Sequence, residues 1–178
     1  MQPYHLAKLV QWAPEGELKS RKRMQKVVFL LQAAGCAEFD PDFFLHHYGP
    51  YSQDVAALTD QMVSAGLLLE KEEPNQQVGS SYSYRLSDSA KDSLVKFERG
   101  ESGKEMAARI EPFQGRAEEL FNADLRELEY AATVVYFHRQ EADWETAVAK
   151  ACDFKKIDKN SAAVSASRAL AQRVLGKQ

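Results

Sequence analysis

Residues 45 to 55 read L-H-H-Y-G-P-Y-S-Q-D-V. Two histidines beside two tyrosines can supply a general base, a proton switch or metal ligands. Adjacent His46 and His47 point in different directions on a strand or a helix, so they do not converge on one ion. Neither the i, i+4 helical spacing nor an alternating pair with a further ligand occurs around them. The expectation is one packed and one solvated histidine and no metal. Cys36 and Cys152 stand far apart without ligand spacing and are expected to be reduced, buried thiols. The chain has no G-x-S-x-G elbow, no phosphate loop and no dinucleotide fingerprint. Glu70-Lys71-Glu72-Glu73 has the look of a solvated charge run. No enzyme and no cofactor are therefore expected.

The same stretch makes better sense as a rigid corner. Pro50 pushes Gly49 out of the α region, so the chain turns there. Ser52 is a good N-cap, and Asp54 sits where a helix dipole favours an anion. Tyr48 and Tyr51 are expected to pack on either side of the turn. Tyr48, Gly49, Pro50, Tyr51 and Ser52 thus form a structural corner that aims the following helix.

The elements around this corner follow from periodicity. Leu6, Leu9 and Val10 mark a helix from Pro3 to Ala13, ended by Pro14 and Gly16. A second helix starts near Ser20 with the stripe Met24, Val27, Val28, Leu31 and stops at Gly35. Residues 43–48, F-F-L-H-H-Y, are a short extended or helical piece. A third helix carries Val55, Leu58, Met62 and Ala65 and ends at Gly66. L-L-L-E-K-E-E reads as a strand leading into the polar loop P-N-Q-Q-V-G-S. The return strand alternates, with Tyr82, Tyr84 and Leu86 on the face turned to the helices. Ser87-Asp88 caps a helix with Leu94 and Phe97 inward. Residues 100–104 read as a hinge, and the chain beyond is helical, broken at Pro112, with Asp124, Asp143 and Ser161 opening its later helices. Helix, helix, turn, helix, hairpin, helix is the order of a winged helix-turn-helix. The expected fold is mainly α: a winged-helix domain with a two-stranded wing over 1–100, then a helical C-terminal extension over 101–178.

Length and composition are those of a folded soluble chain: 178 residues, 44% hydrophobic and 28% charged. The longest apolar runs, Val27–Leu31 and Tyr130–Phe137, are far too short to cross a bilayer. No secretory signal pattern opens the sequence, so no membrane association and a cytoplasmic location are expected. The net charge of −3 is unevenly spread: residues 1–34 carry six Lys/Arg against two Glu, and residues 35–78 carry eight acids against Lys71 alone.

That asymmetry bears on partners. The third helix, S-Q-D-V-A-A-L-T-D-Q-M-V-S-A-G, has no Lys or Arg and carries Asp54 and Asp60. Phosphate neutralisation supplies most attraction to DNA, so such a helix is a poor groove reader. The expected partner is another protein, met through Gln53, Thr59, Gln61 and Ser64 or through the tail helices, which can also form a homodimer. The alternative is a DNA-binding transcriptional regulator that touches phosphates with Lys19, Arg21, Lys22, Arg23 and Lys26.

Two stretches, R-M-Q-K-V-V-F-L-L-Q (23–32) and F-F-L-H-H-Y-G-P-Y-S-Q-D-V-A-A-L (43–58), resemble the YwgA-like bacterial family of uncharacterised winged-helix proteins. More distantly they look like the Panacea-domain (SocA-like) antitoxins. The matching positions are Met24 to Phe29 and then Tyr48, Gly49 and Pro50. The first likeness extends weakly through Leu125 to Tyr136; the second covers about residues 1–100. The antitoxin pattern has Trp before the corner and an aliphatic after Gly-Pro, where this chain has His46 or His47 and Tyr51. The resemblance implies a protein-binding winged helix, antitoxin-like or an adaptor that hands a client to a protease.

Overall fold

The computed structural model describes residues 1–75, 79–141 and 143–176. It is mainly helical, with one small antiparallel sheet and a separate two-stranded hairpin. Helix α1 (Pro3–Trp12) ends before a single 3-10 turn at Pro14–Gly16, and β1 (Glu17–Lys19) follows. That strand was not expected. It pairs Leu18 with Tyr84 and converts the hairpin into a three-stranded sheet. Ser20, at φ +80, then swings the chain into α2 (Arg21–Ala33).

Residues 43–48 resolve into β2 (Phe44–His46), which turns through His47 and Tyr48 into β3 (Gly49–Tyr51). Helix α3 (Gln53–Ser64) starts from Ser52, whose hydroxyl accepts from the Val55 N–H at 3.4 Å. Strands β4 (Leu68–Asn75) and β5 (Gly79–Leu86) form the expected hairpin, and Gln76, Gln77 and Val78 of its loop lie outside the described residues. Its alternation is realised: Tyr84 and Leu86 are buried and Tyr82 half-buried.

Helices α4 (Asp88–Arg99) and α5 (Glu101–Ile110) meet at Gly100, so the expected hinge at 100–104 is helical from Glu101. The junction is tight enough that a Cβ on Gly103 would collide with the Phe97 carbonyl. Phe97 itself is not inward; it stays 40% exposed and packs on Tyr4, because the α4 stripe that reaches the core is Ala90 and Leu94. A 3-10 turn at Glu111–Phe113 holds Pro112 and leads to α6 (Gln114–Asn122). Asp124 caps α7 (Leu125–Glu141), Asp143 caps α8 (Trp144–Lys155), and Ser161 caps α9 (Ala162–Leu175).

Helix α2 is the hub. Every residue from Met24 to Leu31 is buried, Gln25 and Lys26 included. Burial on all sides means partners on all sides. The β3 corner and the helices α6, α7 and α9 pack around it, and one buried cluster runs from Leu6 through Val28 to Val135 and Leu170. Among the described residues no helix is long and apolar enough to cross a membrane.

Candidate functional site

The two polar residues inside α2 hold the corner. The Gln25 side-chain amide donates to the Ser52 carbonyl at 2.9 Å, while its oxygen accepts from the Ser52 N–H at 2.8 Å. Lys26 Nζ donates to the Pro50 carbonyl at 2.7 Å. Gln25 is 6% exposed, Lys26 2% and Ser52 fully buried. In this setting a backbone group without a partner is expensive, so Gln-Lys reads the main chain of Gly-Pro-Tyr-Ser directly. Gly49 completes the corner at φ +91. A Cβ there would lie 2.6 Å from Thr133 Oγ1 on α7.

The aromatic flanks behave differently from expectation. Tyr48 does not pack; it is 51% exposed, with the Lys22 ammonium 3.6 Å from its ring centroid. Tyr51 is half-buried, its ring 5.7 Å from Phe44 and 5.6 Å from His46. His46 and His47 both face solvent, edge to face at 4.9 Å, because a two-residue hairpin turn leaves no layer above it to cover either ring. Among the described residues no group of three His, Cys, Asp or Glu is placed to hold a metal.

The cations expected to meet phosphate point elsewhere. Arg21 donates from Nη2 to Glu70 at 2.7 Å and from Nε to the Tyr84 hydroxyl at 2.5 Å, and it stacks on Tyr82. Burial opposes its charge, but the bonds from Glu70 and Tyr84 raise its pKa above the usual value. Arg23 Nη1 caps the end of α6 through the carbonyls of Leu120, Phe121 and Ala123, at 3.3, 2.9 and 2.7 Å. Lys22 lies 3.6 Å from Glu129 on α7, and Lys155 of α8 lies 4.0 Å from the same carboxylate. Only Lys19 of the five is both exposed and without an ion pair among the described residues. These side chains tie α2 to the β4–β5 hairpin and to the tail helices. Their sign was legible in sequence; their destinations, some more than a hundred residues away, were not.

Of the residues expected to meet a partner, Gln53, Gln61 and Ser64 are exposed on the outer face of α3, beside Asp54 and Asp60. Thr59 is not among them. It is 3% exposed, with its hydroxyl donating to the Val55 carbonyl at 2.7 Å and 3.1 Å from Met24 Sδ. A threonine that satisfies its own hydroxyl on the preceding turn can face inward.

Lys26 carries a strongly perturbed charge. Burial pushes its pKa down to about 7; Lys155 and Lys22 push the same way, and Glu129 opposes them. The folded chain therefore gives up this proton near pH 7 and the unfolded chain near 10.5, so between those values stability rises with pH. Lys26→Met removes that dependence but strands the Pro50 carbonyl. Thermal melts should show K26M at or above the parent at pH 6 and below it at pH 9.5, a relative swing of about 2–4 kcal/mol. Parallel pH profiles for the two proteins would refute a charged, buried Lys26.

No family model matches the chain, and no curated protein matches it.

Proposed function

We propose that this chain is a non-enzymatic protein-interaction module or adaptor whose first hundred residues form a winged helix. The order α1-β1-α2-β2-β3-α3-β4-β5, with the β2–β3 hairpin set between α2 and α3 and β1 laid along β5, supports that fold. In it α3 takes the place of the presented helix, and Gln53, Gln61 and Ser64 face outward without a single Lys or Arg beside them on that helix. The resemblance of residues 23–32 and 43–58 to antitoxin-like adaptors points the same way.

One observation carries the choice of protein over DNA. Arg21, Lys22, Arg23 and Lys26 are bonded to Glu70, Glu129 and backbone carbonyls. A duplex phosphate would have to break the Arg21 and Arg23 bonds to recruit those residues, Glu70 released from Arg21 would repel it, and Lys26 is too deeply buried to meet a nucleic-acid backbone. Duplex binding followed by anisotropy should be weak, with a log–log salt slope no steeper than about −2, against roughly −5 or beyond for a reader making six phosphate contacts. A steep slope that vanishes in the Lys19/Lys22 double glutamine variant would instead establish the DNA-binding regulator. On the protein side, cross-linking with the full chain should capture a partner that is lost when Gln53, Gln61 and Ser64 are changed together to arginine. Capture that survives this triple change would exclude α3 as the contact.

A further inference from the structure

A cavity of about 190 Å³ opens between the first two turns of α2, the β2–β3 hairpin and α3. Small side chains line it, and residues larger than Ala56 or Thr59 would fill that space. His46, Tyr48 and Tyr51 form an aromatic rim. An apolar hole of about 150 Å³ accepts a benzene ring, whereas sites for drug-sized molecules begin near 300 Å³. The size therefore fits one ring or one large aliphatic group.

Charge narrows the occupant further. Arg21 lies between two carboxylates, Glu70 at 2.7 Å and Asp60 at 3.7 Å, so it adds no free positive charge to the cavity. Lys22 and Lys26 also line it, and the nearest carboxylate behind them, Glu129, is shared with Lys155. Lys22 turns its ammonium to the cavity, and Lys26, protonated below about pH 7, adds a second. Lys26 is almost wholly buried there, with a three-donor head whose hydrogen bond among the described residues goes to Pro50.

We propose that this cavity is a binding site for an apolar ring that carries a carboxylate, with the ring against Ala56 and Thr59 and the carboxylate at Lys22 and Lys26. Two sources share that chemistry: a free aromatic acid, or an aromatic residue beside an acidic one in a partner protein. The inference rests on the interaction reading above only for the second source.

The probes are phenylacetate, its neutral isostere phenylacetamide, benzylamine and the dipeptide N-acetyl-Asp-Phe-amide, each titrated into the isotope-labelled full chain. Phenylacetate should shift the amides of Gly49, Ala56 and Thr59 saturably, with Kd about 1 mM for so small a ligand. Phenylacetamide should bind at least fivefold more weakly and benzylamine not at all. Ala56→Leu should abolish binding by filling the hole. Lys22→Gln, at a half-exposed position, should leave the fold intact and at least halve the preference for acid over amide. Saturable shifts from the dipeptide assign the site to a partner's chain, and shifts from the free acid alone assign it to a small molecule. Silence of both at about 10 mM, or equal affinity of acid and amide in the unaltered chain, overturns the proposal. If A56L still captures a partner that the α3 arginine variant loses, the interaction reading stands and a partner's chain is ruled out as the occupant.

Discussion

Replacing Gln25 with leucine should destabilise the protein by about 3–5 kcal/mol, a large share of a typical domain's stability. Leucine fills nearly the same volume, so little of this loss comes from packing. The cost arises at Ser52, whose N–H and carbonyl both lose the side chain that faces them in a site without water access. Each unpaired buried group costs about 1–3 kcal/mol. The Ser52 carbonyl keeps a longer bond from the Ala56 N–H at 3.3 Å, so the N–H bears more of the penalty. Gln25→Glu separates the two groups. Its carboxylate can still accept from the Ser52 N–H but confronts the carbonyl oxygen, and only a protonated Glu restores both bonds. Burial raises that acid's pKa in the folded chain, so the folded state holds the proton longer and stability falls as pH rises through the carboxylate range. Chemical denaturation of Q25E should accordingly show a deficit at pH 7 that shrinks toward pH 4. A Q25L protein as stable as its parent would mean that Ser52 is held by something else.

Much of the fold could be read from residue types, and the failures share a cause. Val55, Leu58 and Met62 announce α3, Ser52 its start, and the Tyr84/Leu86 alternation strand β5, because each pattern lies within a few residues. Strand β1 escaped because Glu17-Leu18-Lys19 offers one apolar residue between two charges, and its partner Tyr84 lies far along the chain. Lys26 stands among the cations expected to meet phosphate, and Gln25 carries no expectation beyond its place in the resemblance. Their partners are main-chain atoms of residues 50 and 52, which leave no trace in side-chain chemistry. The usable hint was composition: M-Q-K-V-V-F-L-L has only two polar residues in eight, the mark of a helix enclosed on every side. The cluster Arg21-Lys22-Arg23 was visible as charge, yet charge alone does not say whether it faces an acid, a carbonyl or water. Thr59 misled for a related reason, since its hydroxyl finds its acceptor within its own helix. In the candidate site, then, local geometry was legible and long-range pairing was not.

The second large effect belongs to Gly49. Alanine there must adopt φ near +91, which costs an L-residue about 1–2 kcal/mol, and must place its Cβ against Thr133 Oγ1. Relief by movement is limited. The Thr133 hydroxyl donates to the Glu129 carbonyl at 2.8 Å, and Thr133 is fully buried between α7 and the corner. Overpacking of this kind adds about 1–3 kcal/mol, so Gly49→Ala should lose about 2–5 kcal/mol, and Gly49→Val, with a β-branched side chain, should lose more. Thr133→Ala separates strain from collision. In a double-mutant cycle the Thr133→Ala background should return about 1–2 kcal/mol of the Gly49→Ala loss, leaving the backbone strain. An additive cycle would assign the whole effect to φ. A neutral Gly49→Ala would remove the corner as a rigid element altogether. The direction of control follows from the contact itself. Glycine at 49 lets α7 lie directly on the turn that launches α3, so anything that shifts the tail helices shifts the start of the helix expected to meet a partner. Hydrogen exchange at the first turn of α3 should therefore speed up in Gly49→Ala well before global unfolding, whereas an isolated strain at the turn would leave those amides as protected as before.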